Sequence, residues 1–382
     1  MKKIIALFLT LLLTFMCMAP AVSAASISPD TYYQTGASVV LDGIQKNEYQ
    51  NDNGTKIIEY TNIGDYVDSM LARRSSTLSS YDLAKSIALE IEGDAAEHLP
   101  EKYIMETLTF QSAVQSVSYI KMKSDGTQEY LTESEMMDAI AATQGAPKIS
   151  ARVSDTDIPD DEGYMELTTT AYAMDTPDYC IDERNHYYVV TVTSRWLITP
   201  FYKLEDALAL SFGSAIYNDN YEDFAHIWEA TECIYCAEPF GIFYYETSSR
   251  DGGRQYSEES AREHLEIIYP SGGAGIATYL NFVDGSLVGY CGHTTVNANG
   301  QTIVANDHRI TLMQGYIRAS VYSQGSDFVI ASAYSHKEFV PGNIGVSISA
   351  GAGGVSGSIG FDVATRHTDY FARPVTVTYL GE

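Results

Sequence analysis

Alternating apolar and polar positions run in short stretches through the second half of the chain, and Gly, Asn and Asp residues lie between them. The clearest stretches are Leu167–Ala173 and Tyr187–Trp196, which are rich in β-branched and aromatic residues. A period of two residues is typical of strands with one face toward a core. Further stretches of this kind are Ile234–Tyr245, Leu265–Tyr269, Ile276–Val283, Ile310–Tyr322, Phe328–Tyr334, Gly345–Ala350, Val355–Phe361 and Val375–Leu380. The pattern predicts an antiparallel β-sandwich-like domain over residues 164–382.

Helical periodicity is concentrated in the first part of the mature chain. Leu83, Ile87 and Ile91 recur every four residues behind the capping residue Ser79, and Gly93 fits the end of that helix. A capping-box pattern, Thr-x-x-Glu, begins a second helix at residue 132. Residues 25–143 are therefore expected to form a smaller mixed α/β region, and the fold class is mainly β or α+β.

Two segments are ambiguous at this stage. The stretch Leu204–Leu210 has the clearest helical pattern of the second half, with a strand as the alternative. Residues 144–163 contain Gly145, Pro147, Pro159 and a run of acids, which predicts an acidic linker between the two regions.

The N-terminus has the pattern of a secretory signal peptide. Lys2 and Lys3 precede the apolar run Ile4–Met18, and Val22–Ala24 places small side chains before Ala25. We expect residues 1–24 to be removed and the mature protein to be secreted. An uncleaved membrane anchor is the alternative, although the run is short for a bilayer core of ~30 Å.

The charge balance excludes two classes of partner. The chain has 23 Lys and Arg against 50 Asp and Glu, a formal net charge of −27. Nucleic-acid binding and docking on anionic lipid both need a cationic surface. We therefore expect no nucleic-acid partner. The chain has no second apolar run of 18 or more residues, so we also expect no integral membrane segment after signal cleavage.

Four cysteines remain after the leader: Cys180, Cys233, Cys236 and Cys291. An even number in an exported protein predicts structural disulfides, with the connectivity left open. Buried free thiols and a C-x-x-C redox pair are alternatives. Zinc is a further alternative, because His293 follows Cys291 closely and would complete a set with Cys233 and Cys236.

An acidic stretch invites comparison with a calcium-binding loop. Asp155, Asp157 and Glu166 fit positions 1, 3 and 12 of an EF-hand loop, but Pro159 and Asp160 occupy positions 5 and 6. The loop needs glycine at position 6, so the motif fails. No cofactor is predicted, and an irregular calcium site is the alternative to a solvated linker.

The glycine-rich segment 342–360 alternates small polar and apolar residues on both sides of a central glycine run. This pattern predicts a β-hairpin of the folded sheet. Insertion into a membrane is the alternative, and each arm is short for the ~9–11 residues of a membrane-spanning strand.

Tyrosine is unusually frequent, with 29 residues. In the pairs Tyr187-Tyr188 and Tyr244-Tyr245, one ring is expected in the core and the other in solvent, where it can contact a glycan or protein. No G-x-S-x-G or H-E-x-x-H motif is present, and no catalytic residue is predicted. We therefore expect a non-catalytic extracellular binding or interaction module. The alternatives are a secreted carboxylate-based hydrolase acting on glycans and, third, a pore-forming protein.

Overall fold

The protein is mainly β, with antiparallel sheets and a small helical region, as the sequence predicts. The computed structural model describes residues 32–73, 79–123, 127–145, 163–174, 185–198, 205–218, 224–237, 244–251, 267–268, 275–281, 294–296, 302–304, 307–337, 344–351, 354–361 and 367–377. The strands in these ranges are β1 (Tyr33–Val40), β2 (Ile44–Gln50), β3 (Lys56–Thr61), β4 (Phe110–Met122), β5 (Gln128–Leu131), β6 (Tyr164–Met174), β7 (His186–Ile198), β8 (Glu205–Ser211), β9 (Ile216–Tyr217), β10 (Phe224–Ala237), β11 (Tyr244–Asp251), β12 (Ile267–Ile268), β13 (Gly275–Asn281), β14 (Thr294–Val296), β15 (Thr302–Val304), β16 (Asp307–Ser323), β17 (Phe328–Lys337), β18 (Ile344–Gly351), β19 (Gly354–Phe361), β20 (His367–Phe371) and β21 (Val375–Val377).

Two antiparallel sheets contain most of these strands. In the described ranges, the larger sheet has 11 strands in the order β1-β2-β3-β4-β6-β7-β16-β10-β11, with β5 beside β4 and β9 beside β16. The smaller sheet has six strands in the order β12-β13-β8-β17-β20, with β21 beside β17. Strands on both sides of the predicted linker pair with each other, since β4 is hydrogen-bonded to β6. The division into domains stays a prediction.

The helices lie early in the chain: α1 (Ile63–Arg73), α2 (Ser80–Glu92), α3 (Glu101–Glu106) and α4 (Glu133–Gly145), with short 3₁₀ helices at Gly93–His98 and Thr107–Thr109. The backbone N–H of Asp82 donates to Ser79 Oγ, and that of Ser79 donates to the Asp82 carboxylate, which completes a capping box. Gly93 follows α2 with φ of 58°. A second capping box between Thr132 and Glu135 begins α4. Both predicted helix starts are confirmed.

The larger sheet is covered on both faces. One face packs against the smaller sheet around an apolar core that includes Leu167, Val190, Leu208, Phe212, Leu280, Ile317 and Phe328. The opposite face packs against α1 and α2 through Ile58, Ile63, Val67, Leu83, Ile87, Ile91 and Val189. Strand β7 contributes to both cores because its successive side chains point in opposite directions.

Three local features differ from the simplest sequence interpretation. Residues 205–210 of the ambiguous stretch lie in strand β8, which pairs with β13 and β17 inside the smaller sheet. Helix α1 has no counterpart among the predictions. The glycine-rich hairpin is confirmed as β18 and β19, with Ile344 opposite Phe361, but these strands form a two-stranded sheet of their own among the described strands.

Candidate functional site

A polar cleft lies on the helix-covered face of the larger sheet, beside the C-terminal end of α2. Its volume is about 290 Å³. Strands β2, β3, β4, β6, β7 and β16 contribute to its lining, together with the end of α2, the 3₁₀ helix that follows it and the first residue of α4. Segments far apart in sequence therefore meet at this one place.

The sheet register places two rows of side chains across the cleft. In the first row, Tyr119 is opposite Glu166, Glu166 is opposite Arg195, and Arg195 is opposite Gln314. All four residues line the cleft. Directly opposed residues of antiparallel strands have Cβ atoms about 4.5–5.5 Å apart, so this row is continuous.

The second row lies two residues along each strand. Val117 is opposite Thr168, and Thr168 is opposite Thr193. These three residues also line the cleft. Together the two rows therefore present one carboxyl group, one guanidinium, one amide and three hydroxyl groups.

Glu166 is a half-buried acid within the first row. Burial raises its pKa, while the positive charge of Arg195 and a hydrogen bond from Thr168 Oγ1 (3.3 Å) act in the opposite direction. Arg195 also forms an ion pair with Asp94, whose carboxylate oxygen lies 3.4 Å from Nη1. The positive charge of Arg195 thus acts on two acids, Glu166 on the sheet and Asp94 on the 3₁₀ helix.

Three buried polar atoms in these two rows have no hydrogen-bond partner within the described part of the chain: Gln314 Oε1, Thr193 Oγ1 and Arg195 Nε. Gln314 is 5% exposed and Thr193 is 8% exposed, so water of the bulk does not solvate them freely. A buried polar group without a partner costs roughly 1–3 kcal/mol. Three of them on adjacent positions of one cleft are the feature that distinguishes this site.

A chain of ion pairs borders the cleft on the side of β2 and β3. Lys46 Nζ lies 3.3 Å from Glu90 and 3.6 Å from Glu48, and Lys56 Nζ lies 3.3 Å from Glu48 and 3.6 Å from Glu133. The chain connects α2 to α4 across two strands. Both lysines are therefore neutralised by neighbouring acids.

A second half-buried acid, Glu92, lies at the end of α2. It accepts hydrogen bonds from the Tyr172 hydroxyl and from Thr191 Oγ1, the latter at 3.1 Å. Burial raises its pKa, and these two hydrogen bonds and the charge of Arg318 oppose the shift. Arg318 in turn forms an ion pair with Glu106.

The two half-buried acids are held at different positions along the sheet. Thr191, which contacts Glu92, is opposite Thr170, and Thr170 lies four residues along β6 from Glu166. That spacing corresponds to about 13 Å of strand. The paired carboxylates of glycoside hydrolases are only about 5–9.5 Å apart. The position of Glu166 and the position that contacts Glu92 are therefore farther apart along the sheet than the carboxyl groups of such a pair.

The predicted metal and disulfide residues lie elsewhere. Cys233 and Cys236 are both on β10, whereas Cys180, Cys291 and His293 lie outside the described residues. The disulfide and zinc interpretations therefore stay predictions.

The calcium candidates are divided between described and undescribed parts of the chain. Asp155 and Asp157 lie outside the described residues, whereas Glu166 is in β6 and lines the cleft. Among the residues that the structure describes, no group of three or more His, Cys, Asp or Glu is arranged to hold a metal ion.

The expectation for the first tyrosine pair is wrong. Tyr187 and Tyr188 are both buried, because the larger sheet is covered on both faces. Tyr188 packs edge-on against Phe328, and Tyr187 lies 5.8 Å from Tyr322, measured between ring centroids. The side chains of the second pair, on β11, lie outside what the structure describes.

Sequence reasoning did not find Arg195, Gln314 or Thr193, and it considered Glu166 only as a calcium ligand. Each lies in a strand whose alternation was recognised, but no local motif marks them. Only the register of three strands brings these side chains together.

Comparison with known proteins gives little guidance. No known protein family matches the chain, and no curated protein matches it. Among solved structures, the chain is similar to the NetB toxin of Clostridium perfringens in its membrane-inserted form, with 6% identity and a TM-score of 0.20. That match covers 56% of this chain and 91% of the toxin chain. Within the described ranges, no helix is long and apolar enough to cross a membrane.

Proposed function

We propose that the protein is a non-catalytic binding module that acts outside the cell, and that the cleft described above takes its ligand. The observation that carries this proposal is the group of unpartnered buried atoms on Gln314, Thr193 and Arg195. Such groups lower stability unless something bonds to them, and a ligand would do so. The signal-peptide pattern of residues 1–24 supports the location.

A secreted hydrolase is the second candidate. The raised pKa values of Glu92 and Glu166 favour it, because a general acid must keep its proton near neutral pH. Thr191, which contacts Glu92, lies about 13 Å along the sheet from the level of Glu166, a wide separation for one hydrolytic pair. Glu92 is also occupied by hydrogen bonds from Tyr172 and Thr191. We therefore favour binding over hydrolysis.

The test begins with protein purified from the culture medium, whose N-terminal sequence should start at Ala25. This protein is incubated with arrays of glycans and peptides, and mass spectrometry examines the bound compounds. We expect at least one compound to be retained intact and to be lost in the cleft variant Glu166→Gln. Cleavage products would favour the hydrolase, and an array without any ligand sensitive to Glu166→Gln would contradict the assignment of the cleft.

A further inference from the structure

We infer that the ligand of the cleft is an uncharged, hydroxyl-rich compound, namely a neutral saccharide, whose hydroxyl groups bond to Arg195, Thr193 and Gln314. This inference rests on the proposed function and adds the chemical class of the ligand. Three arguments lead to it: the positions of the three atoms, their donor and acceptor character, and the charge of the cleft.

The three residues form one compact patch. Gln314 and Arg195 are directly opposite each other on β16 and β7, and Thr193 lies two residues from Arg195 on the same face of β7. Neighbouring positions on one face of a sheet are roughly 5–7 Å apart. A small ligand with several polar groups close together can therefore reach all three side chains at once.

The three atoms differ in whether they can donate or accept a hydrogen bond. Arg195 Nε carries a hydrogen and can only donate, Gln314 Oε1 can only accept, and Thr193 Oγ1 can do both. A hydroxyl group also donates and accepts, so adjacent hydroxyl groups satisfy all three atoms. A carboxylate or phosphate would leave Gln314 Oε1 facing another acceptor, and an ammonium group would leave Arg195 facing another donor.

The charges that line the cleft disfavour an anionic ligand. The acids Glu90, Glu92, Asp94, Glu133 and Glu166 line it, against the three cations Lys46, Lys56 and Arg195. All three cations already face acids: the lysines within the ion-pair chain, and the arginine at Asp94. A sialylated or sulfated glycan would therefore meet cations that are already paired with acids, whereas a neutral sugar needs no cation.

The size of the cleft limits how much of a ligand it holds. Its volume of about 290 Å³ is at the small end of ligand pockets. Tyr119 stands at one end of the first row, where its ring offers an apolar surface with a polar tip. We therefore expect one or two sugar rings, free or at the end of a chain, to occupy the site.

The experiment is a calorimetric titration of the purified protein with three kinds of probe. Neutral probes are oligosaccharides of glucose, galactose, mannose and N-acetylglucosamine, the anionic probe is sialyllactose, and the cationic probe is spermine. We expect a neutral oligosaccharide to bind, and Gln314→Leu and Thr193→Val each to weaken it about tenfold, the effect of one lost hydrogen bond. The control Gln45→Leu changes an exposed residue of β2 outside the cleft and should leave the affinity unchanged.

The other outcomes separate this inference from the proposed function. If only sialyllactose or spermine binds, and Gln314→Leu weakens that binding, the cleft is a binding site but its ligand is not a neutral saccharide. If neutral saccharides bind with equal affinity to the wild type and both cleft variants, the inference and the assignment of the cleft both fail. If no probe binds, the inference is overturned, and the array described above decides whether the cleft binds another class of compound.

Discussion

Replacing two glutamines on the same face of the sheet should have opposite effects on the stability of the protein. Gln314 and Gln115 both line the cleft, and both are 5% exposed. Gln115 Nε2 donates to the Ile91 carbonyl oxygen at 2.8 Å and to Thr170 Oγ1 at 3.2 Å. The Ile91 carbonyl belongs to the last turn of α2, where it lacks a partner within the helix. Gln314 Oε1, in contrast, has no partner in the described residues.

The structure sets the sign and the size of each effect. Gln314→Leu removes a buried acceptor that lacks a partner, so the free energy of unfolding should rise by about 1–3 kcal/mol. Gln115→Leu leaves a helix-terminal carbonyl without its donor, so the free energy of unfolding should fall by about 1–3 kcal/mol. The same chemical change, at equal exposure and on the same face, should therefore stabilise one variant and destabilise the other.

Urea unfolding followed by fluorescence measures both variants against the wild type. We expect the midpoint to increase for Gln314→Leu and to decrease for Gln115→Leu, with unchanged slopes. If both variants are destabilised to the same extent, Gln314 is satisfied within the folded protein. In that case the reasoning from unpartnered atoms to a ligand site is refuted.

Three further predictions concern neighbouring buried groups. Burial raises the pKa of Glu92, so the folded protein binds its proton more tightly than the unfolded chain does. The free energy of unfolding should therefore fall as the pH rises from the ordinary pKa of a glutamate through the raised pKa of Glu92. The variant Glu92→Gln should lack this contribution, which is measured by comparing the urea midpoints of variant and wild type at pH 4 and pH 8. Arg318→Met should lower the free energy of unfolding by about 3–5 kcal/mol because it strands the buried Glu106 carboxylate, and adding Glu106→Leu should restore most of the loss in the same assay. Thr193→Val should raise the thermal midpoint of unfolding, whereas Thr191→Val should lower it. The reason is that the Thr191 hydroxyl donates to Glu92, while the Thr193 hydroxyl has no partner among the described residues. Equal effects of the two substitutions would contradict this difference between the two hydroxyl groups.

Much of the fold could be predicted because its signals are local. The capping residue Ser79 and the repeat of Leu83, Ile87 and Ile91 define helix α2, and the alternation of β6 and β7 is evident in their sequences. Strand β8 was ambiguous because a short apolar run fits both periods, and its pairing with β13 and β17 decided the outcome. Both rings of the pair at 187 and 188 are buried, Tyr188 against Phe328 and Tyr187 beside Tyr322, so neither side chain reaches solvent as a simple sandwich would allow.

The cleft could not be predicted because it depends on register. Glu166, Arg195 and Gln314 belong to three strands, and Gln314 is more than a hundred residues from the other two in sequence. A shift of one residue in any strand would turn its side chain to the opposite face. Neither the composition nor any motif specifies that register, so these residues become a site only once the sheet has formed.

The most direct test of the central claim is a crystal structure of the protein soaked with the neutral oligosaccharide that binds most tightly in the calorimetric titration. We expect sugar hydroxyl groups within about 3.2 Å of Arg195 Nε, Thr193 Oγ1 and Gln314 Oε1. A saccharide bound at another surface, with ordered water on all three atoms of the cleft, would contradict this claim.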